Sequence, residues 1–223
     1  MCSAAERMEP MRARAGLVAV LACLLLPACT GSANRNLASY YDPQGLFSAD
    51  LPAANSVSVA PAQSGRRTSS VLSGVVASPP QPSASASSAI GDQFGAGIGQ
   101  QAPAGDQTMY EVFVVTTNGF DSLDGMTLYY LTADPAIDVR DEQAVEVAHS
   151  EGRLVVADIH QSGSVVASVA AAFTLGSHGV GYIVAAVFPP GGWSGERSDF
   201  SRILDSVRPD VPSGVANFPL TSG

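Results

Sequence analysis

Three apolar runs, Arg153–His160, Val165–Thr174 and Val180–Phe188, constrain the fold of this chain most. The links between them are turn-length and carry Ser162-Gly163 and Gly176-Ser177-His178-Gly179. Parallel neighbours need crossovers of about a dozen residues or more, so these runs must pair antiparallel, as a meander. An earlier run, Tyr110-Glu111-Val112-Phe113-Val114-Val115-Thr116-Thr117, reads as another strand. Just after the meander, Phe200, Ile203, Leu204 and Val207 fall at i, i+3, i+4 and i+7, which predicts a helix over Glu196–Arg208. Ser194 is placed to cap it, Glu196 and Asp199 sit in its first turn, and Pro209 stops it. An apolar stripe has to cover something, and the meander is the available sheet. The expectation is an α+β domain, an antiparallel β-sheet packed by helices.

The rest of the chain is less regular. Tyr40-Tyr41-Asp42-Pro43-Gln44-Gly45 is a turn signal, and Leu46–Pro52 reads as a short strand whose alternation Val57 and Val59 continue. Residues 66–76 suit a further strand. Residues 77–108, rich in Ser, Pro, Ala and Gly, have no period and read as a loop or linker. Within it, Gly95-Ala96-Gly97-Ile98-Gly99 lacks the following Lys-Ser/Thr of a phosphate loop. Residues 122–149 are expected to include helix, although Thr127–Leu131 suits a strand as well. The acids Asp134, Asp138, Asp141, Glu142 and Glu146 lack the Gly and spacing of a calcium loop and read as a solvated helix face.

The start of the chain carries a different kind of information. Arg12 and Arg14 precede an apolar run, Gly16–Leu26, too short to span a bilayer, which takes roughly 20 apolar residues. The run ends in Leu26-Pro27-Ala28-Cys29, followed by small and polar residues. This resembles the bacterial lipobox, with Pro27 a departure from the usual small residue. The resemblance implies cleavage before Cys29 and a diacylglycerol on its thiol. Val20-Leu21-Ala22-Cys23 lies inside the apolar run and would leave too short a core for a signal. Glu6 and Glu9 suit such a leader poorly, which makes Met11 a better first residue. Each buried methylene is worth about 0.8 kcal/mol, so two or more acyl chains would anchor the protein durably.

The expected organisation is therefore a signal peptide over 1–28, a polar tether over 29–39, one domain over 40–208 broken by the loop at 77–108, and a tail over 209–223. Cys2, Cys23 and Cys29 are the only cysteines, and the first two would leave with the signal. The exported chain then has no pair to oxidise and no Cys-rich metal site. All 11 basic residues are arginine, against 20 acids, for a net charge of −9. Acidity with scattered Arg disfavours nucleic acid as a partner, and it leaves membrane attachment to the acyl chains.

These pieces together resemble the PsbP-like superfold and, within it, the actinobacterial LpqN-type lipoproteins. The matching residues are Tyr41-Asp42-Pro43, Leu46-Phe47-Ser48-Ala49-Asp50-Leu51-Pro52, Phe188-Pro189-Pro190-Gly191-Gly192-Trp193, and Phe200 with Ile203-Leu204-Asp205-Ser206-Val207-Arg208. An aromatic often follows the opening Leu-Pro in such proteins; here Ala53-Ala54-Asn55 follows. The resemblance covers residues 40–208. It implies an α/β/α sandwich that serves binding and scaffolding, for an envelope protein or a lipid-like ligand. It implies no cofactor and assigns no ligand-binding residue.

Catalytic constellations are scarce. No Gly-x-Ser-x-Gly elbow is present; Gly192-Trp193-Ser194-Gly195 is one residue short. Asp158 and His160 lie two apart on a predicted strand and share a face, with Ser162 and Ser164 in the next turn. They read either as a surface ion pair or as the core of a secreted hydrolase. His178 reads as a turn residue, and a zinc site would need His149, His160 and His178 to converge. Tyr129, Tyr130, Phe173, Tyr182, Phe188 and Trp193 suit a domain core better than an apolar ligand pocket. The expectation is a non-enzymatic, membrane-anchored binding module with Cys29 as the lipidation site.

Overall fold

The computed structural model describes residues 35–60, 71–80, 107–132, 134–176 and 179–210. Cys29, the leader, His178 and residues 211–223 lie outside them. Ten strands are described. They are β1 (Leu37–Tyr41), β2 (Phe47–Pro52), β3 (Ser56–Ala60), β4 (Val71–Ser78), β5 (Met109–Thr116), β6 (Ile137–Val147), β7 (Ser150–Gln161), β8 (Ser164–Leu175), β9 (Val180–Phe188) and β10 (Arg208–Pro209). Two helical segments complete the set: α1 (Leu123–Thr127), running on into a π-helical turn over Leu128–Thr132, and α2 (Trp193–Ser206).

Seven strands form one sheet in the order β3-β4-β5-β9-β8-β7-β6, every pair antiparallel. The expected meander is its β7-β8-β9 section. A small separate sheet of order β1-β2-β10 packs on one face of the large one through β2. All nine residues of β9 are buried, because both faces of the sheet are covered there. On one face Tyr110, Val112, Val184, Ala186 and Phe188 meet β2 and α2 through Phe47, Leu51, Phe200 and Ile203. On the other, Phe113, Val169, Phe173, Ile183 and Val187 meet Met126, Tyr130 and Leu131 of α1 and its π-helical turn. Fully burying a side chain of this size contributes about 1.5–3 kcal/mol, so these two layers supply the main driving force. The result is the expected α+β fold, an antiparallel sheet with helices on both faces. Among the described residues no helix is long and apolar enough to cross a membrane.

Several local expectations need correction. Helix in the 122–149 region stops at Thr132, and Ile137–Val147 is an edge strand. Asp138, Asp141, Glu142 and Glu146 are exposed there, on a strand and not on a helix face. A register shift between Val139 and Asp141 moves the acids off strict alternation, which hid the strand from a period-two reading. Helix α2 starts at Trp193, with Gly192 at the cap and no side-chain cap bond, so Ser194 is not the cap. Strand β1 begins at Leu37, inside the stretch read as tether, and β4 runs through Ala77 and Ser78 of the stretch read as loop. Pro209, read as the start of the tail, pairs with Phe47 in β2.

Candidate functional site

The β1–β2 connection shows why Tyr41-Asp42-Pro43 matters. Asp42 is buried; its carboxylate accepts from the Leu46 amide at 3.0 Å and from Ser73 Oγ at 2.5 Å. Gly45, at φ +69°, closes the turn, and the Asp42 amide donates to the Phe47 carbonyl at 3.0 Å. One side chain thus holds the hairpin and ties it to β4.

A polar cluster joins the beginning of the described chain to α2. The Arg35 guanidinium donates to both Glu196 oxygens, at 2.5 and 2.8 Å, a two-pronged pairing. It also donates to the Tyr110 hydroxyl, and its charge lies over the Tyr110 ring, 5.6 Å from the centroid. Tyr110 Oη donates to Glu196 Oε2 at 2.6 Å. Asp199, on the next turn, is buried; it lies 3.8 Å from Arg35 and accepts from Arg202 at 3.3 Å. Arg202 reaches back to donate to the Arg35 carbonyl at 3.0 Å. Burial raises the Glu196 carboxyl, but the bonds from Arg35 and Tyr110 outweigh it and hold it below the ordinary glutamate value. The Tyr110 hydroxyl is pushed well up, by burial first and then by its bond to Glu196.

Beside this clamp runs an open groove of about 660 Å³ lined by Asn36, Leu37, Asp50, Arg202, Asp205, Ser206 and Arg208. Its walls are mostly polar, and they come from β1 and the residue before it, β2, the end of α2 and β10. Sequence reasoning marked Glu196 only as a first-turn acid and missed the clamp. Arg35, Tyr110 and Glu196 are far apart in the chain, and no local period links them.

The Asp158 region is arranged differently from a catalytic set. Asp158 accepts from Arg140 Nε at 2.8 Å and from Ser168 Oγ at 2.6 Å. Ser168 Oγ also lies 3.4 Å from the Gly191 amide, which donates to it. A nucleophilic serine donates to a base, usually an imidazole, and the carboxylate orients that imidazole. Here the serine donates to the carboxylate. His160 Nε2 sits 3.9 Å from Asp138, and it makes no hydrogen bond among the described residues. The register shift between Ile159 and His160 falls on β8, where Val166 is the extra residue, so Asp158 and His160 keep to one face of β7 as expected. Burial raises the Asp158 carboxyl, while Ser168 and Arg140 hold it below the ordinary value overall.

His149 and His160 do not converge. His149 lies in the β6–β7 turn, His160 near the far end of the 12-residue β7, so about 35 Å of extended chain separates them. Among the described residues no group of three metal-ligating side chains gathers. The aromatic set belongs largely to the core: Tyr130, Phe173, Tyr182 and Phe188 are buried, Trp193 is half-buried against Phe188 and Phe200, and Tyr129 is at the surface.

No protein-family model and no curated protein matches the chain. Solved structures do show similarity. Cyanobacterial PsbP from Synechocystis sp. PCC 6803 is 12% identical, with a TM-score of 0.49, over 82% of this chain and 98% of that one. LpqN of Mycobacterium tuberculosis, involved in cell envelope biogenesis, is 11% identical at a TM-score of 0.40, over 70% of this chain and 86% of that one. The immunity protein TplEi of Pseudomonas aeruginosa, solved with a peptide, is 11% identical at 0.40, over 79% and 99%. At these identities no residue of theirs maps onto a role here.

Proposed function

We propose that this chain is an exported lipoprotein of the LpqN type, anchored through Cys29 to the outer face of the cell membrane, whose domain binds or scaffolds a partner without catalysis. The observation that carries the anchor is Leu26-Pro27-Ala28-Cys29 at the end of an apolar run too short to span a bilayer. The partner is an envelope protein or a lipid-like ligand. Burial of the aromatic set within the two packed layers favours recognition at the surface over an internal apolar pocket.

The non-catalytic reading is supported by the Asp158 carboxylate, which accepts its hydrogen bonds from Arg140 and Ser168 and not from His160. The test is complementation in the source cell. Cys29→Ala moves the protein to the soluble fraction and abolishes function, whereas His160→Ala leaves function intact. Full function from the released form contradicts the anchoring claim. Ester or peptide turnover lost on His160→Ala would replace the binding reading with a hydrolase.

A further inference from the structure

We propose that a second copy of this chain adds at the outer edge of β3, pairing Ser56–Ala60 antiparallel with its own counterpart and joining the two large sheets. The inference goes beyond the anchoring reading and does not depend on it.

The large sheet ends in β3 on one side and in β6 on the other. An end strand leaves a row of backbone N–H and C=O groups without a strand partner, and proteins blunt such an edge with charge, proline or a bulge. Strand β6 is blunted twice. Asp138, Arg140, Asp141, Glu142 and Glu146 are exposed along it. Arg140 is also the extra residue of a bulge. Strand β3 carries none of these devices. It pairs with β4 in unbroken register and, among the described residues, with no other strand. Ser56-Val57-Ser58-Val59-Ala60 has no charge and no proline. Ser56 to Val59 are exposed, Val57 at 46% and Val59 at 49%.

The occupant follows from charge and from symmetry. The chain carries a net charge of −9, so two copies repel each other over most approaches. Residues 51–60 and 71–80 contain no Asp, Glu, Lys or Arg, so copies joined along β3 bring no like charges together on β3 or β4. Val57 and Val59 are two apart and share a face. Antiparallel self-pairing about Ser58 sets Val57 of each copy opposite Val59 of the other, two apolar cross-strand pairs. Ala77 and Val75 stand beside them on β4, so the apolar rows run on across the joint. Assembly stops at two copies, because each sheet has one open edge and one blocked edge, and a two-fold contact uses the open one. Five residues from each copy make a small contact, so the dimer dissociates on dilution.

The test is photocrosslinking of the full chain in its own cells. The photoreactive residue p-benzoylphenylalanine replaces Ser58 on β3, or Ala144 on β6 as the control edge. The expected product from position 58 is an adduct of twice the chain mass, linked through residues 56–60 of the second copy. Several-fold less of it is expected from position 144. Val57→Asp with Val59→Asp sets carboxylates opposite one another across the joint and should abolish the adduct. Val57→Arg with Val59→Asp makes each opposed pair complementary and should restore it, which separates loss of pairing from loss of fold. An adduct of any other mass shows another protein's strand at this edge and overturns the second copy as its occupant. No adduct from position 58, equal dimer adduct from the two positions, or no restoration by the Arg and Asp pair overturns the proposal.

Discussion

Glu111 is a carboxylate held inside the sheet. It is buried on β5 between Val76 and Ala185, and no described side chain donates to it. Burial alone pushes its carboxyl up to about 7, from an ordinary 4.5. A group whose folded value is raised contributes stability that is complete below the unfolded value and is lost as pH rises through the folded one. The wild-type protein should therefore lose about 3 kcal/mol between pH 4.5 and 7 through this residue, then level off. Glu111→Gln should remove that decline, leaving the two proteins alike at pH 4.5 and the variant more stable at pH 8. Denaturant titration at the two pH values checks it, and a variant less stable at pH 8 contradicts it. The clamp has the opposite sign. Glu196 is held low, so its contribution is present above the ordinary glutamate value and lost as pH falls through the folded one. Arg35→Gln should cost about 1–3 kcal/mol at neutral pH, since the pair is only partly shielded from solvent, and less at acid pH.

At the scale of elements, what the sequence made legible follows from what each element contacts. Strands β7, β8 and β9 were readable as apolar runs because both faces of the sheet are covered there, and helix α2 because its one buried stripe sets a single period. Strand β6 was not. It is an edge strand with a register shift, and its exposed acids answer to solvent. The Arg35 clamp was equally silent, because its three members meet only after β5 and α2 are in place. Gly74 shows a third case. It lies opposite Phe113 in the β4–β5 register, and a methyl there would overlap the Phe113 ring, which is fully buried and has no room to give. Gly74→Ala should destabilise by about 1–3 kcal/mol, the usual cost of overpacking, measured as a lower unfolding midpoint with unchanged slope. An unchanged midpoint would show that the ring moves aside.

For the whole molecule, the two covered sheet faces explain how the domain holds together with no cysteine among the described residues. Everything proposed about function depends on the anchor. Its most direct test is the intact mass of the protein extracted in mild detergent from its own membranes. The account predicts a chain beginning at Cys29 and carrying the added mass of a diacylglycerol, with or without a further acyl group. A chain of unmodified mass, or one that begins anywhere else, would contradict it.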